Sequence, residues 1–195
     1  MNIALRRPMS VAEFLAWEER QELRHEFDGF RPVAMTGGTF AHDRITFNLQ
    51  KALDARLSGG PCKPCGPNVK IIAAAGKVRY PDAVVTCSPP DLGATVIDDP
   101  VVVFEVVSED NARTDRIEKV RDYQGTPSIR RYVILEQKTV GATVFARKRE
   151  DWTATTLIEG DTLHLPEIGV ELPLIECYAG LDLPQDAAGE GEMAD

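Results

Sequence analysis

The sequence lacks several features that would assign it at once to a class of protein. No apolar run approaches the roughly 20 residues that a membrane-spanning helix needs, and the two arginines near the start precede no apolar core typical of a secretory signal. It has no Gly-x-Ser-x-Gly, P-loop or dinucleotide-binding glycine pattern, which argues against serine hydrolases and common nucleotide-binding folds. We therefore expect a cytoplasmic protein without a membrane partner.

Cysteine is also scarce, with four residues in a chain of 195. Cys62 and Cys65 form a C-x-x-C within the segment GGPCKPCGP, but no second pair or histidine stands at metal-ligand spacing. We interpret the two as ordinary thiols in a Pro/Gly-rich turn, with a structural zinc site or a redox pair as the alternatives. The hydrophobic content of 43% is ordinary for a globular protein, so the chain should fold without staples.

Basic residues are fewer than acidic ones: the chain has 22 Lys and Arg against 31 Asp and Glu, and its net charge is -9. A passive nucleic-acid binder would normally show the opposite balance. Part of the excess is local, since five acids and no Lys or Arg follow from Asp182 onwards. We predict one domain over residues 1–183 and an acidic, disordered tail over residues 184–195. The remaining balance is mildly acidic and does not define the charge of any one face.

The hydrophobic pattern predicts an α/β (mixed α+β) fold. A capping box at Ser10 and Glu13 opens the first helix, and a strand-to-strand crossover through a helix predicts parallel pairing of segments 101–107 and 130–136. The last two extended segments have the pattern of a hairpin. Helices are expected over residues 10–23, 40–57 and 112–124, and extended segments over residues 26–28, 31–35, 67–74, 77–87, 101–107, 130–136, 142–148 and 152–158.

Two acids stand out against apolar strands. Glu105 is the one polar residue in VVVFEVV, a run typical of a central strand buried on both faces. Asp82 begins a similar apolar stretch, and a buried carboxylate costs several kcal/mol unless a cation or hydrogen bonds compensate it. On adjacent strands the two could hold one hard cation such as Mg²⁺, with the Val106 carbonyl nearby. Alternatively, Asp82 caps a turn and Glu105 forms an ion pair.

The order of several motifs resembles one family. Glu26, then Tyr80-Pro81-Asp82, then Glu105-Val106-Val107-Ser108, then Glu118-Lys119 and Tyr123 are similar to a bacterial family of restriction-endonuclease-like proteins in the PD-(D/E)XK nuclease superfamily. The resemblance covers roughly residues 9–150. It implies a restriction-endonuclease-like core, with a central mixed sheet flanked by helices and one or two Mg²⁺ or Mn²⁺ ions at its carboxylates. The C-terminal hairpin would extend this core.

The resemblance also implies roles for individual residues. Asp82 matches the motif aspartate and Glu105 the (D/E) position, whereas Val107 occupies the place of the usual lysine. The resemblance implies that the lysine has moved to the following helix, which indicates Lys119. Glu26 would be the additional acid near the metal. The alternatives are surface pairing of Lys119 with Asp115 or Asp122 at helical spacing and a solvated hairpin position for Glu26.

Three further residues are candidates for supporting roles. His42 lies near the start of the second helix, where capping by its neighbours is the plainer interpretation and a place beside the site is the alternative. Tyr123 follows Lys119 by one helical turn, so it should pack in the core and could hydrogen-bond into the site. Gln137 follows a strand and is a weaker lining candidate.

Three functions fit these observations. The first is a Mg²⁺-dependent endonuclease that cleaves DNA, since a metal can activate water and a lysine can stabilise the charge that develops on phosphate. The second is a non-catalytic nucleic-acid-binding or interaction module that keeps the nuclease fold, suggested by the acidic balance and by Val107. The third is a scaffold or dimerising protein. A homodimer would suit symmetric cutting of duplex DNA.

Overall fold

A computed structural model describes residues 8–35, 37–88, 91–107 and 112–183, the side chains of residues 112–116 excepted. The predicted tail over residues 184–195 lies outside this part of the chain. None of the helices in the described part is long and apolar enough to cross a membrane. The helices are α1 (Val11–Glu18), α2 (Phe40–Leu57) and α3 (Ala112–Gln124), with 3₁₀ turns at Ala74–Gly76 and Leu174–Tyr178. The strands are β1 (His25–Phe27), β2 (Pro32–Ala34), β3 (Lys63–Cys65), β4 (Lys70–Ala73), β5 (Lys77–Arg79), β6 (Ala83–Thr86), β7 (Val96–Ile97), β8 (Pro100–Val107), β9 (Arg131–Glu136), β10 (Gly141–Lys148), β11 (Asp151–Ile158), β12 (Thr162–Leu165) and β13 (Val170–Pro173).

The largest sheet, called the central sheet below, has six strands in the order β11-β10-β9-β8-β6-β3. Of the strand pairs that the structure describes in this sheet, β8–β9 is the parallel one, and α3 lies between the two strands in sequence, as the crossover pattern predicts. The predicted hairpin is the antiparallel pair β10–β11. The mixed α/β fold predicted from the sequence is therefore confirmed, and the hairpin continues the central sheet.

Strand β8 is buried on both faces of the central sheet, as its apolar run predicts. Val102, Phe104 and Val106 belong to the core that contains α2, β12 and β13. Val103 belongs to the opposite core, which includes Tyr123 of α3. Because side chains alternate along a strand, Glu105 projects to the α3 side.

The chain crosses between two sheets immediately before Asp82. The second sheet, called the side sheet below, has the order β2-β1-β5-β4-β7. The prediction of one strand over residues 77–87 is wrong, because β5 belongs to the side sheet and β6 to the central sheet. Pro81 lies at the break, where it has no amide proton to continue a ladder. Asp82 thus stands where the two sheets meet.

Other boundaries differ from the predicted ones. Helix α1 ends at Glu18 instead of continuing to residue 23, and the Glu18 carboxylate pairs with buried Lys70 at 2.6 Å. Residues 67–69 form a turn before β4, with the Val69 amide bonded to the Gly66 carbonyl. The short strands β3, β7, β12 and β13 were not predicted.

The cysteine interpretation is corrected in one respect. Cys62 is bonded to Cys87, whereas Cys65 and Cys177 are free thiols. Strand β3 pairs with β6 so that Lys63 faces Thr86, and one residue further out the two cysteines lie opposite each other. C-x-x-C therefore forms neither a zinc site nor an internal redox pair. Disulfides are rare in cytosolic proteins, so the cytoplasmic location stays a prediction.

Gly125 fixes the approach of α3 to the side sheet. A Cβ at this position would lie 2.7 Å from the Ala74 Cβ and 3.2 Å from the Arg121 carbonyl oxygen. We expect Gly125→Ala to destabilise the protein by about 1–3 kcal/mol, because α3 or the Ala74 turn must shift. Urea unfolding followed by circular dichroism measures this. Gly37→Ala is the control, since a Cβ there meets nothing within 4 Å; an equal loss in both variants would contradict the steric argument.

Candidate active site

Asp82 and Glu105 lie on the same side of the central sheet. Strands β6 and β8 pair with Ala83 opposite Phe104 and Val84 opposite Val103. Continued by one residue, this register sets Asp82 opposite Glu105, and directly opposite residues share a face. The two carboxylates therefore project from the same face of the sheet, as a shared metal position requires.

The Asp82 carboxylate is held by two groups, one from β8 and one from α2. The Val106 amide donates a hydrogen bond to Asp82 Oδ2 at 2.7 Å, and His42 Nε2 lies 3.2 Å from the same oxygen. This hydrogen bond raises the pKa of His42 above its ordinary value, against the opposing effect of burial. His42 is thus more than a residue of the helix start, although its amide also bonds to the Thr39 cap.

Glu105 is the most deeply buried acid of the site, with 4% of the residue exposed. Lys119 Nζ lies 2.9 Å from Glu105 Oε1, and the Tyr123 hydroxyl donates to the same oxygen at 2.7 Å. Burial raises the pKa of Glu105 to about 7, although the Lys119 ammonium opposes this shift. The nearby carboxylates of Asp82 and Glu26 add to the increase.

Helix α3 places Lys119 beneath the sheet. Lys119, Asp122 and Tyr123 are three and four residues apart, so they share one face of the helix, and Asp122 and Tyr123 are buried. Burial alone would lower the pKa of Lys119, but the carboxylates of Glu105 and Glu26 hold it above the ordinary value. Lys119 therefore stays an ammonium ion. The predicted alternative of surface pairing with Asp122 is wrong, since Asp122 binds Arg79 and Lys77. The other partner predicted for that pairing, Asp115, has its side chain outside the described residues.

Glu26 reaches the site from β1 of the side sheet. Its Oε1 lies 3.5 Å from Lys119 Nζ and accepts the Tyr80 amide at 3.2 Å. Its Oε2 accepts a hydrogen bond from Arg79 Nη1 at 2.9 Å. With 12% of its side chain exposed, Glu26 is not the solvated hairpin acid that the sequence left as an alternative.

The supporting candidates Tyr123 and Gln137 differ in their contacts with the site. Tyr123 is fully buried, packs edge-on against Tyr132 with centroids 4.7 Å apart, and donates a hydrogen bond to Glu105. Burial holds the pKa of Tyr123 well above its ordinary value, which keeps the hydroxyl protonated. Gln137 instead donates to the Thr39 hydroxyl at the start of α2. Among the described residues it contacts none of the site carboxylates.

Sequence reasoning missed the ion pairs behind the site. Arg79 donates through Nε and Nη2 to Asp122 Oδ2 at 3.1 and 2.6 Å, and Lys77 Nζ lies 2.8 Å from Asp122 Oδ1. Beside them, buried Glu18 accepts hydrogen bonds from Lys70 and from the Tyr80 hydroxyl. The available signal was Arg79 itself, a charged residue between apolar Val78 and Tyr80 just before the Asp82 motif.

The donors present fit a hard divalent cation. Both hydrogen bonds that Glu105 accepts from described residues go to Oε1, and both contacts of the Asp82 carboxylate go to Oδ2. Among the residues that the structure describes, these contacts leave one oxygen of each acid for a ligand. The Val106 carbonyl points to the same side of β8 as the amide bonded to Asp82. Within the described part of the chain, no three His, Cys, Asp or Glu side chains are grouped for a metal, so water would complete the shell.

Comparison with known proteins shows the family. The model of the Uma2 family, described as "Putative restriction endonuclease", matches residues 11–174. The uncharacterized protein slr1290 of Synechocystis is 32% identical over 89% of this chain and 93% of its own length. A second Synechocystis protein, sll1609, is 26% identical over 70% of this chain and 80% of its own.

A solved structure shows the same fold at low identity. The crystal structure of "a putative nuclease belonging to DUF820" from Anabaena variabilis superposes with a TM-score of 0.70 and 12% identity. The match covers 88% of this chain and 98% of that one. The chain therefore belongs to the Uma2 family of putative restriction endonucleases and has a restriction-endonuclease-like fold.

Proposed function

We propose that the protein is a Mg²⁺- or Mn²⁺-dependent endonuclease that hydrolyses phosphodiester bonds in DNA. The observation that supports this most directly is the meeting of Asp82, Glu105 and Lys119 at the edge between the two sheets. Acids whose pKa is shifted by burial and by neighbouring charges are typical of functional sites, and Glu105 is such an acid. The family and the nuclease described for Anabaena variabilis point the same way.

Each residue has a chemical role in this proposal. A divalent cation held by Asp82, Glu105 and the Val106 carbonyl would polarise the scissile phosphate and lower the pKa of a water molecule. The Lys119 ammonium would stabilise the negative charge that grows on the phosphate oxygens as water attacks phosphorus and the bond to the leaving oxygen breaks. His42 and the Val106 amide would keep Asp82 in position.

The position of Lys119 bears on the main sequence argument against catalysis, which is the absence of a lysine at position 107. Val107 stands where the superfamily usually has its lysine, which would favour a non-catalytic module. The Lys119 ammonium, delivered from α3, contacts Glu105 at 2.9 Å, and can therefore supply the missing charge. A homodimer stays a prediction, because the structure holds one chain.

We expect Lys119→Met to reduce Mg²⁺-dependent cleavage of plasmid DNA by about 10²–10³-fold, the scale of losing one group that stabilises developing charge. Gel assays of supercoiled plasmid and of single- and double-stranded oligonucleotides, with and without a chelator, measure this. Lys51→Met is the control, since Lys51 is exposed on α2, and it should cleave at the wild-type rate. If the wild-type protein with Mg²⁺ or Mn²⁺ cuts none of these substrates, the proposed function is wrong.

A further inference from the structure

Lys119 lies between two carboxylates instead of one. Its ammonium is 2.9 Å from Glu105 Oε1 and 3.5 Å from Glu26 Oε1. Glu105 belongs to the central sheet and Glu26 to the side sheet, so the lysine bridges them. A small rotation of its side chain would exchange the closer partner for the farther one.

A divalent cation and the Lys119 ammonium would compete for Glu105. Both are positive, and at a few ångströms inside a protein they repel strongly. The two oxygens of Glu105 share one negative charge, so the Lys119 ammonium on Oε1 also weakens the attraction of the other oxygen for a cation. Lys119 therefore has to weaken its contact with Glu105 when a metal is bound there, and a buried ammonium without a partner is costly.

Glu26 is held in a way that suits a lysine partner better than a metal ligand. Arg79 Nη1 binds Oε2 at 2.9 Å, and the Tyr80 amide binds Oε1 at 3.2 Å, so both oxygens are already engaged. Asp82 and Glu105 each bind described residues through a single oxygen. In the described residues, moreover, the three acids do not form a metal-binding group.

We propose that Glu26, anchored by Arg79, is the alternative partner of the Lys119 ammonium and not a metal ligand, and that Lys119 shifts from Glu105 to Glu26 when Glu105 binds a divalent cation. This rests on the metal site of the proposed function but not on cleavage. Glu26 and Arg79 are then positioning residues, because they act through Lys119. The movement would also bring the ammonium to a defined place beside the metal.

A double-mutant cycle on metal binding tests this without any measurement of activity. Mn²⁺ is titrated by calorimetry into the wild type, Glu26→Gln, Lys119→Met and the double variant. We expect Glu26→Gln to weaken Mn²⁺ binding about tenfold while Lys119 is present. In the Lys119→Met background the same change should have no effect, because no ammonium needs a second partner. Glu22→Gln, a change of an exposed acid, is the control and should leave binding unchanged.

Each other result overturns the inference. An equal loss in both backgrounds would make Glu26 a ligand, and no loss in either would mean that Lys119 needs no alternative partner. If a variant fails to fold, crystals of the wild type soaked in Mn²⁺ decide the question. Lys119 Nζ should then be closer to Glu26 than to Glu105, and a Glu26 oxygen coordinated to Mn²⁺ would contradict the inference.

The two proposals can fail separately. A cycle with the expected coupling in a protein that cuts no DNA would remove the endonuclease proposal and keep the Lys119 movement. Metal-dependent cleavage, together with an equal loss of Mn²⁺ affinity in the two backgrounds, would keep the endonuclease proposal and remove the Lys119 movement.

Discussion

Asp82→Asn should abolish Mg²⁺-dependent cleavage, with a loss on the order of 10³-fold or more, because the cation and the reacting groups act as one unit. Mn²⁺ binding should weaken by at least about tenfold, since the number of charged ligands sets the affinity of such sites. The Asn side chain keeps an oxygen that can accept the Val106 amide, which Asp82 now accepts at 2.7 Å. The fold should therefore survive. Single-turnover cleavage and calorimetry provide the two measurements.

Asp54→Asn is the matched control for this change. It removes the same charge from an exposed position on α2, so cleavage and Mn²⁺ affinity should equal those of the wild type. Thermal unfolding of both variants checks that neither has lost its structure. Wild-type Mn²⁺ affinity in Asp82→Asn would place the metal elsewhere and contradict the assignment of this site.

Much of the fold could be predicted because its main elements have strong local signals. The α2 bounds follow from apolar residues at helical spacing and a Gly/Pro stop, and β8 follows from its continuous apolar run. The parallel pairing of β8 with β9 follows from the helix between them. What failed was the assignment of residues 77–87 to one strand. A local pattern shows that a segment is extended but carries no signal for which sheet it joins.

In the candidate site, the sequence gives a clear signal only where a charged residue lies in an otherwise apolar segment. Glu105 in an apolar strand is such a case, and the resemblance to a known family added Lys119 and Glu26. The Arg79–Asp122 pair was missed because its partners are 43 residues apart and each is ordinary in its own segment. The Cys62–Cys87 bond was missed for the same reason, since only the register of β3 against β6 brings the two together.

Arg79→Met should destabilise the protein by about 3–5 kcal/mol, the cost of removing one partner from a buried ion pair. Arg79 is 6% exposed and Asp122 4% exposed, so water cannot replace the lost guanidinium. Glu26 would lose its anchor in the same change. For a chain of this size the melting temperature should fall by roughly 10 °C. Differential scanning calorimetry measures the change.

Arg31→Met is the control for Arg79→Met, because it removes an arginine from an exposed ion pair instead of a buried one. Arg31 pairs with Asp28 at 3.6 Å on the surface, with 75% of its side chain exposed, and exposed pairs contribute about 0–1 kcal/mol. A comparable loss of stability in both variants would contradict the argument from burial.

A double-mutant cycle tests the buried pair itself. Asp122→Asn should destabilise the Arg79→Met variant less than the wild type, by about 1 kcal/mol or more, because the effects of mutating contacting residues are not additive. Additive losses would mean that Arg79 stabilises the junction of the two sheets by packing alone, without its charge.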